Sequence, residues 1–180
     1  MKNIYIVRHC KATGQEAEAK LTESGIEQAE KLADFLHHKN IDSVISSPFE
    51  RAYRTIEPFA TRSGIDILTD DRLQERVLIG ESHPDWLAML QKTFEDRDLC
   101  YQGGESSNVA MNRAASVLQE VLHSESQNVV LVSHGNLITL LLSHVDETYG
   151  FNEWQTMSNP DVYIISYEDN GASVQRLWIG

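Results

Sequence analysis

Two histidines and two arginines sit at places where an α/β chain can bring distant residues together. Arg8-His9 directly follows the apolar run Ile4-Tyr5-Ile6-Val7, and Ser133-His134-Gly135 directly follows Val129-Val130-Leu131-Val132. Arg51 lies just beyond a third apolar stretch ending near Ser46. Guanidinium forks bind phosphate oxygens bidentately and imidazoles add directed hydrogen bonds, so these four side chains have the chemistry to surround one phosphoryl group. A neutral imidazole nitrogen of His9 could attack phosphorus in line and form a phosphohistidine, dividing one hard displacement into two easier ones. The scheme requires no metal and no cofactor. A lone histidine after a strand is ordinarily a satisfied polar residue, and Arg51 alone reads equally as an exposed helix charge beside Glu50 and Arg54. The convergence of three such groups at three strand ends is what favours a site.

The elements that must position them follow from periodicity. The β-branched run Ile4–Val7 has the pattern of a strand buried on both faces of a parallel sheet. Ile26, Ala29, Ala33 and Leu36 recur at helical spacing, with Ser24 and Glu27 as a capping-box start. Ile41 to Ser46 reads as a second strand, after which Ser47-Pro48-Phe49-Glu50 starts a helix near Pro48, with Ser47 able to cap, Glu50 completing a capping box and Arg51 in the first turn. The stretch from Thr69 to Gly104 is irregular, with a short helix around Trp86, Met89 and Leu90, and reads as an insertion or lid. A long helix runs from near Glu105 through Ala110, Ala114, Val117 and Val121. Leu137 to Val145 is apolar nearly all round, the mark of an internal helix. Val162–Tyr167 and Val174–Trp178 flank Asp169-Asn170-Gly171, a tight hairpin turn. The expectation is a three-layer α/β/α sandwich with a mainly parallel sheet and an antiparallel C-terminal edge hairpin, a single domain over residues 1–180. Such sheets bind ligands beyond the carboxyl ends of their strands. Helix N-termini near Pro48 and Gly135 would add backbone donors there.

At 180 residues, with 41% hydrophobic and 23% charged, the chain has the composition of a soluble globular protein. A net charge of -12 argues against sequence-independent nucleic-acid binding and against an anionic membrane surface as partners. Concentrated arginines can still bind a small phosphorylated substrate, since local fields outweigh screened distant charges. Cys10 and Cys100 have neither disulfide-framework nor zinc-ribbon spacing. The apolar run at the N-terminus is interrupted by Arg8, far short of a signal-peptide core. A cytoplasmic protein is expected.

Val7-Arg8-His9, Ser46-Ser47-Pro48 with Arg51-Ala52 and Thr55, and Val132-Ser133-His134-Gly135-Asn136 together resemble the histidine phosphatase superfamily, which includes cofactor-dependent phosphoglycerate mutases. Leu21-Thr22-Glu23 with Gly25, Gln28 and Ala29, and Gly103-Gly104-Glu105-Ser106 ahead of Arg113, extend the resemblance over nearly the whole chain. It implies a phosphomonoester hydrolase in which His9 is phosphorylated, Arg8, Arg51 and His134 hold the phosphoryl group, and Glu75 is the proton donor. Asp70, Asp71 and Glu81 are competing acids, each equally readable as a solvated loop charge. Gln15 stands where many members place a phosphate-contacting amide, and Gly135 opens the helix beside the site.

In place of the family's usual Arg-His-Gly the chain has Arg8-His9-Cys10. Cys10 reads as a small buried residue, with an oxidisable thiolate as the alternative. A cysteine-phosphatase loop is excluded, because Glu16 occupies the position where that loop needs an arginine. Two further readings stand: a mutase, disfavoured because the chain is shorter than mutases of this resemblance, and a non-catalytic phospholigand-binding module. Arg76, His83, Trp86 and Tyr101 are candidates to line a substrate pocket or simply to pack.

Overall fold

A computed structural model describes residues 1–180. Its centre is one six-stranded sheet: β1 (Lys2–Arg8), β2 (Ser43–Ser46), β3 (Ile67–Thr69), β4 (Asn128–Ser133), β5 (Asp161–Glu168) and β6 (Gly171–Arg176), in the order β3-β2-β4-β1-β5-β6. The first four strands in that order run parallel, and β5 is antiparallel to both β1 and β6. This is the expected α/β architecture with its antiparallel edge hairpin. Glu168 pairs with Gly171 across Asp169-Asn170, and β6 begins three residues earlier than the apolar pattern indicated.

β1 is the central buried strand that its sequence requires. Ile4, Tyr5, Ile6 and Val7 are all buried, and the period of two sends them to opposite faces. Ile4 and Ile6 join one core with α4 (Ser107–His123) and α5 (Gly135–Val145). Tyr5 and Val7 join the other with α1 (Glu23–Leu36) and α2 (Glu50–Ser63). Each fully buried aliphatic side chain contributes about 1.5–3 kcal/mol relative to exposure, so the strand order is set by the demand to cover both faces. α5 is buried along nearly its entire length, as its all-round apolarity indicated.

Helix starts differ from the sequence reading in informative ways. Thr22, not Ser24, caps α1 by accepting from Gly25 N at 3.0 Å, while Ser24 bonds the Thr22 hydroxyl. Ile26 is 56% exposed, because the buried stripe of α1 runs through Gly25, Ala29, Leu32, Ala33 and Leu36. α2 begins at Glu50 rather than Pro48, with no side-chain cap. Residues 70–104 are not a loose insertion. A 3-10 turn at Asp71–Leu73 and the helix α3 (Trp86–Glu95) are held against α4 by Leu73, Arg76 and Thr93, and Leu90 of α3 is buried as well. The last helix, α6 (Phe151–Thr156), buries no residue and precedes β5.

Register brings the strand ends level. Arg8 pairs with Ser133, and Val132 with Ser46. His9 N donates to Ser133 O at 3.2 Å and Ser47 N to Val132 O at 2.9 Å. The residues that follow β1, β2 and β4 therefore emerge side by side at one edge of the sheet.

Candidate active site

His9 and His134 leave β1 and β4 as neighbours, their ring centroids 5.2 Å apart. His9 is 7% exposed. Its Nδ1–H donates to Cys10 O at 2.7 Å, which leaves Nε2 as the unprotonated nitrogen, and Nε2 accepts from Arg51 Nε at 3.2 Å. Burial holds the imidazole pKa down to about 3, opposed by the Cys10 hydrogen bond and assisted by the charges of Arg51 and Arg8. His9 is thus a neutral base with its lone pair among cations. The His9 carbonyl accepts from Asn159 Nδ2 at 2.9 Å, tying the turn to the segment before β5.

Arg51 lies in the first turn of α2 and is 1% exposed. Its Nη1 donates to the carbonyls of Gln15 at 3.1 Å and Glu16 at 2.8 Å, and its guanidinium lies over the Phe49 ring. Nη2 has no protein partner. Gln15 reaches Arg51 through its main-chain carbonyl, and the residue itself is exposed.

Arg8 ends β1 and crosses the start of α5. Nη1 donates to Met157 O at 3.3 Å and Ser158 O at 3.5 Å, while Nε is buried without a partner. Burial lowers its pKa, against the opposing charges of Glu75 and Asp161. Gly135 explains itself here: a Cβ would stand 3.0 Å from the Arg8 Cζ and Nε, so a larger residue would displace the guanidinium. His134 is fully buried, its Nε2 lies 2.8 Å from Ser47 Oγ, and its Nδ1 has no partner. Burial, then the neighbouring His9 ring and the charges of Arg51 and Arg8, hold it neutral.

Glu75 belongs to the same cluster. Its carboxylate accepts from Arg76 N at 2.8 Å, Leu137 N at 2.9 Å and Asn136 N at 3.1 Å. It therefore caps α5, where the helix dipole favours negative charge. Two of the α5 donors expected for phosphate, Asn136 N and Leu137 N, are taken by Glu75. The competing acids lie elsewhere: Asp70 pairs with Arg72 at 2.7 Å, Asp71 accepts from Gln74, and Glu81 is exposed. Arg113 fixes the loop that carries Glu75, donating to the carbonyls of Arg72, Gln74 and Glu75 while bonding Glu105 through Nε and Nη2.

Arg76 does not line the cleft. It is buried, with Nη1 on the hydroxyls of Thr93 and Ser107 and Nη2 on Glu105 O. Tyr101 bonds Met89 O, His83 accepts from Asp85 N, and Trp86 packs edge-on to Trp154, joining α3 to α6. Cys10 is fully buried and burial pushes its thiol up to about 12, so it is the small packed residue and not a reactive thiolate. The contributions of Ser47, Asn159 and Arg113 escape a reading by residue type alone. Only the Asn159-Pro160-Asp161 turn and the Ser46-Ser47-Pro48 motif hint at the first two.

The cluster offers Arg8 Nε, Arg51 Nη2 and His134 Nδ1 without protein partners, at the carboxyl ends of parallel strands. Fold and charge together define an α/β protein with a cluster of cationic and unpartnered N–H donors around a neutral histidine, chemistry suited to an oxyanion.

The chain belongs to the histidine phosphatase superfamily (branch 1), whose model matches residues 4–179. Phosphoserine phosphatase 1 of Hydrogenobacter thermophilus is 33% identical over 128 residues, 63% of this chain and 58% of that protein. A "Probable phosphoglycerate mutase GpmB" of Salmonella choleraesuis is 27% identical over 163 residues, 81% of this chain and 75% of that protein. The solved structure of mycobacterial glucosyl-3-phosphoglycerate phosphatase with inorganic phosphate matches with a TM-score of 0.79 at 25% identity, over 99% of this chain and 96% of that one.

Proposed function

We propose that the chain hydrolyses phosphomonoesters of small metabolites by passing the phosphoryl group to His9 and then to water. The observation that carries this reading is the state of His9, whose Nδ1–H is committed to Cys10 O so that an unprotonated Nε2 faces the arginines. In the first step Nε2 forms a bond to phosphorus as the ester P–O bond breaks, and Glu75, which takes up a proton from solvent as the dianionic ester enters, gives that proton to the leaving alkoxide. In the second, the Glu75 carboxylate takes a proton from water, the water oxygen bonds phosphorus, and the N–P bond breaks to release inorganic phosphate. Arg8, Arg51 and His134 donate to the phosphoryl oxygens as their charge redistributes. Gln15 serves by holding Arg51 through its carbonyl, and Gly135 by leaving room for Arg8.

The relatives named for phosphoserine and glucosyl-3-phosphoglycerate support a small phosphorylated metabolite as substrate class. No helix is long and apolar enough to cross a membrane, and the unpaired Cys10 and Cys100 favour the cytoplasm as its compartment. Phosphate release from a panel of sugar phosphates, phosphoglycerates and phosphoamino acids tests the reading, with His9→Ala as the control. Release that His9→Ala abolishes supports it. Phosphoglycerate isomerisation without release would assign a mutase, and saturable ester binding without turnover a binding module.

A further inference from the structure

We infer that Ser47 sets the tautomer of His134, holding its proton on Nδ1 so that the buried ring presents an N–H to the bound phosphoryl group. The ligand named here rests on the function proposed above; the tautomer itself does not.

Ser47 follows β2 and is fully buried, its backbone N–H bonded to Val132 O at 2.9 Å, next to the end of β4. Its hydroxyl lies 2.8 Å from His134 Nε2 and accepts from Phe49 N at 3.3 Å. Ser46 Oγ is committed to Ser47 O at 2.9 Å and takes no part. A neutral imidazole carries one N–H, so two assignments exist. If the Ser47 hydroxyl donates to Nε2, it gives its proton and receives the Phe49 N–H, and only the His134 Nδ1–H is left over. If Nε2–H donates instead, the Ser47 proton has no acceptor and the Nδ1 lone pair has no donor, two unmet groups in a fully buried place. Buried polar groups are costly to leave unmade, which selects the first assignment. Phe49 packs edge-on to the His134 ring with centroids 5.1 Å apart, so the ring cannot easily flip to exchange its nitrogens.

The remaining Nδ1–H is a neutral donor beside Arg8 and Arg51, whose charges oppose a second proton on the ring. Ser47 is accordingly a positioning residue that acts through His134. The same hydroxyl suits a helix cap in the sequence; in the structure its oxygen accepts from Phe49 N on the approach to α2 while its proton is free for His134.

The test is the nitrogen-15 NMR spectrum of the full chain labelled at histidine, with His134 assigned by its loss in His134→Gln. The wild-type ring should show a protonated Nδ1 and an unprotonated Nε2. Ser47→Ala should move His134 to a mixed or Nε2–H state and weaken orthovanadate binding roughly 10- to 100-fold, whereas Ser47→Thr should keep the wild-type pattern and most of the affinity. A wild-type His134 protonated at Nε2 overturns the inference, as does a Ser47→Ala protein with unchanged tautomer and affinity. Absence of a phosphohistidine would sink the proposed hydrolysis and leave the tautomer result intact.

Discussion

Arg51 donates through Nε to His9 Nε2 at 3.2 Å, while its Nη1 is held by the carbonyls of Gln15 and Glu16. One guanidinium therefore connects the loop after β1, the first turn of α2 and the unprotonated nitrogen of His9. The contact also identifies which nitrogen of His9 carries the lone pair, because an Arg N–H can only donate.

Arg51→Lys keeps the charge and loses the fork. An ammonium is a compact point charge that cannot reproduce the planar arrangement toward both loop carbonyls, His9 and a phosphoryl oxygen. The expected loss in kcat/KM is about 100-fold or more, with the far-ultraviolet circular dichroism spectrum unchanged. Steady-state kinetics on an aryl phosphate measures it.

Acid should unfold the protein through His9. The folded pKa lies near 3 and the unfolded value near 6.5, so between these limits the unfolded chain binds a proton that the folded one refuses. Stability contributed by neutral burial is thus present above about pH 6.5 and declines as pH falls toward 3, by up to ~1.4 kcal/mol per unit. From pH 7 to 5 the wild type should lose about 2 kcal/mol more than His9→Asn in urea denaturation. Parallel curves for the two proteins would contradict the burial of a neutral His9.

Glu75→Gln removes the proposed proton donor; its single oxygen can still accept from Arg76 N and Leu137 N, while the bond from Asn136 N is lost to the amide NH2. Alkyl phosphates, which leave as strong bases, should slow far more than activated aryl phosphates. Comparing kcat/KM for the two ester classes decides it, and equal losses would reassign the acid. Arg113, which grips the carbonyls of Arg72, Gln74 and Glu75, accounts for how one carboxylate in an irregular segment is held in place.

Alkylation should separate the two cysteines. Cys100 is exposed and Cys10 is fully buried with its thiol pKa pushed up to about 12, so iodoacetamide at neutral pH should modify Cys100 alone and leave turnover intact. Peptide mass spectrometry reads the site. Rapid modification of Cys10 with loss of activity would restore the redox reading.

Much of the architecture was legible because β1, β4 and α5 are buried on all sides and advertise it by unbroken apolar runs. The placement of Arg8, His9, Arg51 and His134 followed from strand ends alone. β3 and α6 were not legible: three residues, or six with none buried, have no period to read. Local capping chemistry read Ser47 only in part: its oxygen accepts from Phe49 N on the approach to α2, but the same hydroxyl also meets the buried His134 imidazole, which only tertiary structure supplies. The bond from Arg51 to the Gln15 carbonyl was not legible either, as residue type says nothing about a backbone carbonyl. Asn159 and Arg113 act on residues far away in sequence, where no spacing rule reaches.

The central claim is that His9 Nε2 carries the phosphoryl group between ester and water. Rapid quenching of the enzyme with a phosphorus-32-labelled phosphate ester, followed by peptide mapping, tests it most directly. A label that is acid-labile, base-stable, located on His9 and absent from His9→Ala is the predicted result. Phosphate release by wild type with no trapped label at any quench time, or with label on another residue, would contradict it.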